Sequence, residues 1–224
     1  MINPIQSHYQ KLSEIDNIPP NHIKYLESLK KNGFEPKVIY DIGSCVLHWT
    51  KHAKRLWPDA EIVLFDANPH CTFLYTGYKY YSGILSNISD VTMKFYLNEY
   101  SPGGASYYME IGSPYSKILY SPEKYYQIQS MTLDDVVNKY NFPLPDFVKM
   151  DVQGAEYDVL QGSTKVLANA KHLILEIPKP WIEYNKGAPN HETTLKFTES
   201  LGWKCTAPIF SDNGEYDGDY GFSR

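Results

Sequence analysis

The 224-residue chain contains few of the residues on which several classes of protein depend. Only two of its 21 basic residues are arginine, Arg55 and Arg224, and its formal net charge is −5. Nucleic-acid-binding proteins usually carry an arginine-rich basic patch, so this composition argues against a nucleic-acid partner. The three cysteines lack a CxxC spacing, which argues against both a disulfide scaffold and a structural zinc site.

Long hydrophobic runs are also missing. No apolar stretch reaches the roughly 18 residues that a membrane-spanning helix needs, and the first ten residues, MINPIQSHYQ, lack the apolar core of a secretory signal. We therefore expect a cytoplasmic protein without a membrane span. The hydrophobic content of 42% is typical of a folded domain and excludes a largely disordered chain.

Tyrosine is the residue in excess. The chain has 20 tyrosines against 9 phenylalanines and 4 tryptophans, and eight of the tyrosines fall between positions 96 and 126. A tyrosine ring offers an apolar face and a hydroxyl, which suits both sugar binding and interface packing. The sequence therefore predicts a Tyr-rich lid or insert at about 98–128, whose exposed rings would also suit a homodimer contact.

Apolar periodicity predicts strands that alternate with helices. The predicted strands are 37–42, 61–65, 80–85, 91–97, 147–152, 172–177, 203–209 and 216–222. The predicted helices are 22–32, 46–57, 133–140, 155–167 with a break near Gly162, and 191–201. This order predicts an α/β fold with a mostly parallel sheet and an antiparallel hairpin at its end. We expect one domain over 37–224 after a helical lead-in over 1–36.

Three carboxylates stand at the carboxyl ends of predicted strands: Asp41, Asp66 and Asp151. The carboxyl ends of parallel strands collect ligands in such sheets, and Gly43 allows close backbone approach. Asp66 suits the two hydroxyls of a ribose, whereas Asp41 would repel phosphates and attract an amine. The pattern favours a ligand with a ribose and an ammonium group, such as S-adenosylmethionine. A tight strand-to-helix turn with a solvated Asp41 is the alternative interpretation.

The glycine fingerprint of dinucleotide-binding folds is absent. G-x-G-x-x-G needs further glycines to admit a pyrophosphate. No glycine lies between Gly43 and Gly77, and Cys45 and His48 occupy the corresponding positions. The pattern therefore argues against a nicotinamide-dependent oxidoreductase.

Several motifs occur together in one order. VIYDIGS at 38–44 and IVLFDANP at 62–69 are followed by GGAS at 103–106, TLDD at 132–135 and KMDVQGAE at 149–156. This set resembles the FkbM-like family of S-adenosylmethionine-dependent methyltransferases over roughly 38–203. The last run is the most specific, because it is close to the family's K-x-D-V-E-G-A-E signature.

The resemblance implies a Rossmann-like methyltransferase fold with a seven-stranded sheet. It also implies transfer to oxygen, on hydroxyls of sugars or of secondary metabolites. The cofactor would be S-adenosylmethionine, held by Asp41, Gly43, Ser44, Asp66, Ala67, Asn68, Ile84, Leu85, Ser86 and Asp151. We expect a small-molecule or glycan acceptor to contact Ser106, Tyr107, Tyr108 and His191.

The chain departs from the family pattern in its loops. Cys45 and Leu47 stand where the family usually has asparagine and glycine, and Gln153 replaces a glutamate. Leu47 is expected to tighten the cofactor pocket or to shift the start of the helix. These departures leave a second hypothesis open, that of a non-catalytic relative that binds a glycan or a protein partner.

Four charged residues near the third motif are candidate catalytic groups. Lys149 and Glu176 lie within predicted strands, and because buried charges need partners, they are predicted to pair if these strands are neighbours. Asp151 and Glu156 are candidate bases for a hydroxyl proton, although Glu156 equally suits the first turn of the following helix. A divalent metal at Asp151 would also activate a hydroxyl, but no D-x-D or H-x-H cluster supports one.

Overall fold

The computed structural model describes residues 3–224. The strands are β1 (Val38–Ile42), β2 (Glu61–Asp66), β3 (Lys79–Ser82), β4 (Ile84–Leu85), β5 (Thr92–Asn98), β6 (Ser101–Ser106), β7 (Tyr126–Met131), β8 (Phe147–Met150), β9 (His172–Pro178), β10 (Lys204–Asp212) and β11 (Asp217–Ser223). The helices are α1 (Pro4–Glu14), α2 (Pro20–Lys31), α3 (His48–Leu56), α4 (Ser116–Leu119), α5 (Leu133–Tyr140), α6 (Glu156–Gln161), α7 (Thr164–Leu167) and α8 (His191–Ser200).

The main sheet has seven strands in the order β10-β11-β9-β8-β1-β2-β3. The strands from β9 to β3 run parallel, while β11 pairs antiparallel with both β9 and β10. This arrangement confirms the predicted Rossmann-like α/β fold with its antiparallel C-terminal hairpin. It also brings the carboxyl ends of β1, β2, β8 and β9 to one edge.

Helices cover both faces of this sheet because side chains along each strand alternate between the two sides. On β1, Ile39 packs with Tyr9 of α1, Leu26 of α2 and Trp49 of α3. Tyr40 lies on the opposite face, within a cluster that also contains apolar residues of α5, α6 and α7. The two cores place α1, α2 and α3 on one side and the later helices on the other.

Side-chain caps set the start of two predicted helices. The Thr132 hydroxyl accepts the N–H of Asp135 at 3.1 Å at the start of α5, as its sequence pattern predicts. Asn190 accepts the N–H of Thr193 at 3.0 Å at the start of α8. The predicted helix break near Gly162 is also confirmed, because α6 ends at Gln161 and α7 begins at Thr164.

A second sheet, in the order β4-β7-β5-β6, contains the two ends of the Tyr-rich segment, while residues 107–125 lie outside its strands. The prediction of one strand over 80–85 was wrong: β3 joins the main sheet and β4 joins the second, with Gly83 between them. The strand predicted over 91–97 is β5, which pairs antiparallel with β6 and β7. The periodicity did not indicate β6, β7 or α1.

The lead-in over 1–36 contains α1 and α2, and both are packed against the sheet through fully buried side chains, Tyr9 and Leu26. Met1 and Ile2 lie outside the described residues. Across residues 3–224, none of the helices combines the length and the apolar character that crossing a bilayer demands.

Candidate active site

One cavity of about 270 Å³ opens at the carboxyl ends of β1, β2, β8 and β9. The loop after β1 and the segment 102–107 of the Tyr-rich region line it on two sides. Residues from the start of α2 and from β11 close its far end. The cavity therefore lies where the strand order predicts a ligand site.

The loop after β1 is drawn against β8 and held by Asp66. Gly43 has a φ of +82°, and a Cβ at this position would lie 1.8 Å from the carbonyl oxygen of Asp151. Asp66 accepts the N–H of Cys45 at 2.7 Å through one oxygen and the N–H of Asn68 at 2.7 Å through the other. Burial raises the pKa of Asp66 to about 6. Gly43 and Asp66 both line the cavity, and their predicted contacts with a cofactor remain predictions.

Cys45 and Leu47, which differ from the family's usual residues, both have a left-handed backbone conformation. Cys45 has a φ of 42° and Leu47 a φ of 70°, in a region that asparagine and glycine adopt more readily. Leu47 is buried in the core beside α3 and is absent from the residues that line the cavity. The expectation that Leu47 tightens the pocket is therefore wrong, whereas the helix does begin after it, at His48.

An apolar slot adjoins Asp66. The residues that line it are Ala67, Ile84, Leu85, Phe95 and Tyr107. Two polar residues predicted beside this slot lie behind it and do not line the cavity. Asn68 donates to the Tyr9 hydroxyl at 3.2 Å, and Ser86 is fully buried at 3.5 Å from the Tyr107 hydroxyl.

Lys149 is buried among carboxylates at the end of the cavity lined by Asp151 and Glu176, which we call the reaction end. Its Nζ lies 3.1 Å from an oxygen of Asp151 and 3.4 Å from an oxygen of Asp41, and it donates to the carbonyl of Gly43 at 3.1 Å. The predicted Lys149–Glu176 ion pair was wrong. In the parallel register Lys149 stands opposite Ile174, and Glu176 instead accepts a hydrogen bond from Gln153 at 2.5 Å.

Asp41 is fully buried and does not line the cavity. Its second oxygen accepts a hydrogen bond from Thr50 of α3. The predicted contact of Asp41 with an ammonium group is therefore not available, because Lys149 and Thr50 enclose the carboxylate. Ser44 does line the cavity, and its hydroxyl donates to the Asp41 carbonyl at 2.6 Å.

Opposite pKa shifts separate two carboxyl groups that line the cavity. Burial alone would raise the pKa of Asp151, but the Lys149 ammonium outweighs it and lowers that pKa. Burial and the neighbouring carboxylates Asp151, Asp217 and Asp219 raise the pKa of Glu176 well above its usual range. These pKa shifts favour an ionised Asp151 and a protonated Glu176.

Glu156 lies outside the residues that line this cavity. It is 3% exposed in the first turn of α6, and its carboxylate accepts the N–H of Val152 at 2.8 Å. Of the two roles that the sequence left open, this geometry favours the structural one, in which a carboxyl group in the first turn of α6 holds the loop before the helix. Burial raises the pKa of Glu156 to about 8.

A Glu156→Gln variant is expected to lose less stability than the wild type on going from pH 5 to pH 9. The unfolded carboxyl titrates near 4.5 and the folded one near 8, so between these values the folded state binds the additional proton. The contribution of this proton is complete below about pH 4.5 and is lost as the pH rises through about 8. Urea unfolding at both pH values measures the difference, which we expect at about 1–3 kcal/mol.

The matched control for this prediction is Glu199→Gln, which changes an exposed glutamate of α8. Glu199→Gln should keep the wild-type pH dependence. An identical pH dependence in Glu156→Gln and the wild type would show that the buried carboxyl does not carry the effect.

Of the four residues predicted to contact the acceptor, two line the cavity and two do not. Ser106 and Tyr107 line the cavity, and both Tyr107 and Tyr108 donate their hydroxyls to Asp158, at 2.9 and 2.8 Å. Neither Tyr108 nor His191 lines the cavity, and the His191 ring lies 2.9 Å from the Pro178 carbonyl oxygen. Their predicted roles remain predictions.

The far end of the cavity contains residues that the sequence did not single out. Asn17 and His22 come from the N-terminal region, and Asn213 and Asp219 from the C-terminal hairpin. These pairs come from opposite ends of the chain, and no spacing rule connects them. The exposed Asn213 donates to Glu176 at 3.2 Å, which links the hairpin to the reaction end.

Residues 3–224 contain no group of three or more His, Cys, Asp or Glu side chains arranged to hold a metal ion.

Comparisons with known proteins were made for the sequence and for the fold. The family profile described as "Methyltransferase FkbM domain" matches residues 38–205. No curated protein matches the sequence.

Three solved structures share the fold at low identity. An O-methyltransferase from Bacillus cereus in complex with SAH has a TM-score of 0.53 and 12% identity, covering 100% of this chain and 92% of that one. Methyltransferase FkbM from Methylobacillus flagellatus KT has a TM-score of 0.50 and 10% identity, with 96% and 58% covered. Human N-acetylserotonin methyltransferase in complex with SAM has the same two values, with 98% and 55% covered. The chain therefore spans little more than half the length of the last two.

Proposed function

Because the chain belongs to the FkbM family of methyltransferases, we propose that it transfers a methyl group from S-adenosylmethionine to a hydroxyl of a sugar, a glycan or a glycosylated metabolite. The observation that carries this proposal is a single cavity that joins the Gly43 loop, Asp66 and Asp151 to a polar end around Gln153 and Glu176. A cofactor at the first part faces an acceptor at the second.

The residues of the first part fit S-adenosylmethionine. Each oxygen of Asp66 accepts one backbone N–H, which leaves lone pairs for the two ribose hydroxyls. The adjoining slot, whose lining includes Ile84 and Leu85, is apolar, as the faces of a purine ring require. Asp151 has a side chain that is 31% exposed and offers a carboxylate to a cationic group, a role that the enclosed Asp41 cannot take.

The residues of the second part favour a neutral, hydroxyl-rich acceptor. Asn17, Gln153 and Asn213 bring amides that both donate and accept hydrogen bonds. The lysine in the cavity wall, Lys149, is 5% exposed and already neutralised by carboxylates. An anionic acceptor would meet Asp151 without a free cation to balance it, which argues against phosphorylated or carboxylated substrates.

The cofactor brings a methyl group that its sulfonium activates for displacement. The chain's own residues hold the acceptor oxygen in line with that methyl, and such positioning accounts for much of the rate in a reaction of this type. Lys149 favours the ionised form of Asp151 and burial favours the protonated form of Glu176, so this end of the cavity has both a hydrogen-bond acceptor and a donor. The closely packed Gly43 loop limits the space in which the methionine portion moves.

Calorimetric titration with S-adenosylmethionine and with S-adenosylhomocysteine tests the cofactor part of the proposal. We expect saturable binding of one ligand per chain. Folded protein that binds neither compound would refute the proposed activity.

Asp66→Ala is expected to weaken S-adenosylmethionine binding about 10- to 100-fold, which is the range for losing hydrogen bonds to a charged group. For the wild type, affinity should also decline as the pH falls below about 6, because protonated Asp66 accepts fewer hydrogen bonds. Asp59→Ala removes an exposed aspartate and is the control. Equal affinities for the two variants would refute the ribose assignment.

The acceptor is tested by mass spectrometry of glycosides and hydroxylated metabolites incubated with enzyme and S-adenosylmethionine. A gain of one methyl group on oxygen supports the proposal. Methylation of amine or carbon acceptors alone would refute the hydroxyl assignment. Cofactor binding without turnover on any acceptor would favour the non-catalytic relative.

A further inference from the structure

A buried histidine–aspartate pair lies at the far end of the cavity, which the hydrogen bond from Asn213 to Glu176 links to the reaction end. The Nε2 of His22, on α2, is 2.8 Å from a carboxylate oxygen of Asp219, on β11, and both residues line the cavity. His22 is 5% exposed and Asp219 is 3% exposed. Both lie outside the residues 38–205 that match the family profile.

The pairing determines which nitrogen of His22 is able to accept a proton. A carboxylate accepts only, so Asp219 selects the tautomer in which Nε2 carries the hydrogen. The lone pair of neutral His22 then resides on Nδ1. This atom is buried and has no hydrogen-bond partner among the described residues. Because His22 lines the cavity, its unpartnered Nδ1 is the ring atom that a ligand hydrogen-bond donor would satisfy.

The carboxyl groups near the reaction end are poor candidates for the base. Lys149 lowers the pKa of Asp151, which makes that carboxylate a weak base. Burial favours the protonated form of Glu176, and Glu156 lies outside the cavity. His22 is therefore the lining residue with an unused basic atom and a carboxylate that orients it.

We propose that His22 is the base that takes the acceptor's hydroxyl proton, and that Asp219 is the positioning residue that orients it. The acceptor O–H bond breaks and its proton moves to Nδ1 of His22. The oxygen forms a bond to the methyl carbon as the carbon–sulfur bond breaks. The electron pair of the carbon–sulfur bond stays on sulfur, in S-adenosylhomocysteine. The products are a methyl ether, S-adenosylhomocysteine and a His22 imidazolium that Asp219 stabilises. This inference rests on the proposed O-methyl transfer.

Three titratable groups and one aromatic ring lie near His22. Asp219 faces it from β11, Glu176 is the register partner of Asp219 on β9, and His52 approaches it from α3. The ring of Phe210 on β10 packs edge-on against the His22 ring, with 5.0 Å between the ring centroids.

The test measures tritium transfer from methyl-labelled S-adenosylmethionine to a panel of p-nitrophenyl glycosides. His22→Gln should reduce kcat/KM about 100-fold or more, the usual scale for losing a general base. Calorimetric affinity for S-adenosylhomocysteine should change less than threefold, which separates loss of the base from loss of cofactor binding. His8→Gln, which alters a histidine outside the cavity lining, should behave as the wild type.

Asp219→Asn keeps the side-chain shape and tests the positioning role. Nitrogen NMR of ring-labelled protein should show His22 with its hydrogen on Nε2 in the wild type and a changed tautomer ratio in Asp219→Asn. Wild-type kcat/KM in His22→Gln, or the hydrogen on Nδ1 of His22 in the wild type, would overturn the inference while leaving the methyltransferase proposal intact. If the wild type binds S-adenosylmethionine but methylates no hydroxyl in any acceptor, both proposals fail.

Discussion

Lys149→Met is expected to lower the free energy of unfolding by about 3–5 kcal/mol, the range for removing one partner of a buried ion pair. Lys149 is 5% exposed and neutralises Asp41, which is fully buried, and Asp151. Burial by itself would lower the pKa of Lys149, but the two carboxylates raise it overall, so the ammonium is charged in the folded protein. Methionine fills a similar volume but leaves two carboxylates without a cation.

Urea unfolding followed by circular dichroism measures this loss. Lys196→Met is the control, because Lys196 pairs with Glu192 on the surface of α8 and such pairs contribute under about 1 kcal/mol. Adding Asp41→Asn to Lys149→Met should restore part of the stability, since one uncompensated charge disappears. A loss below about 1 kcal/mol in Lys149→Met would refute the view that this lysine neutralises the site.

Gly43→Ala is expected to abolish detectable S-adenosylmethionine binding and to destabilise the fold by about 2–4 kcal/mol, through backbone strain and displacement of packed strands. The new Cβ would lie 1.8 Å from the Asp151 carbonyl oxygen, so β1 and β8 must separate at their carboxyl ends. The N–H of Gly43 also donates to the Phe65 carbonyl at 2.8 Å, which couples this movement to β2 and Asp66.

Gly33→Ala separates the effect of backbone strain from the effect of displacing the packed strands. Gly33 has a φ of +84°, nearly that of Gly43, but a Cβ at this position would have no atom within 4 Å. Gly33→Ala should therefore show only the cost of a left-handed alanine, about 1–2 kcal/mol, with unchanged cofactor affinity. Comparable stability and affinity in the two variants would mean that the contact between Gly43 and Asp151 does not constrain the loop.

The sequence predicted the main sheet well because its strands have a local signature. β1, β2, β8 and β9 are buried on both faces and therefore appear as continuous apolar runs bounded by turns. The second sheet was not predictable in the same way. β6 reads SPGGAS, which has no strand propensity, and it is a strand because β5 pairs with it.

The candidate site shows the same division between local and non-local information. The sequence by itself determined the Gly43 loop, the Asp66 position and the family, because each depends on neighbouring residues in a short motif. Only the tertiary structure decided that Lys149 pairs with Asp41 and Asp151, since strand register and burial select ion-pair partners. It alone joined His22 to Asp219, because residues near opposite ends of a chain meet only when the sheet and its helices have packed.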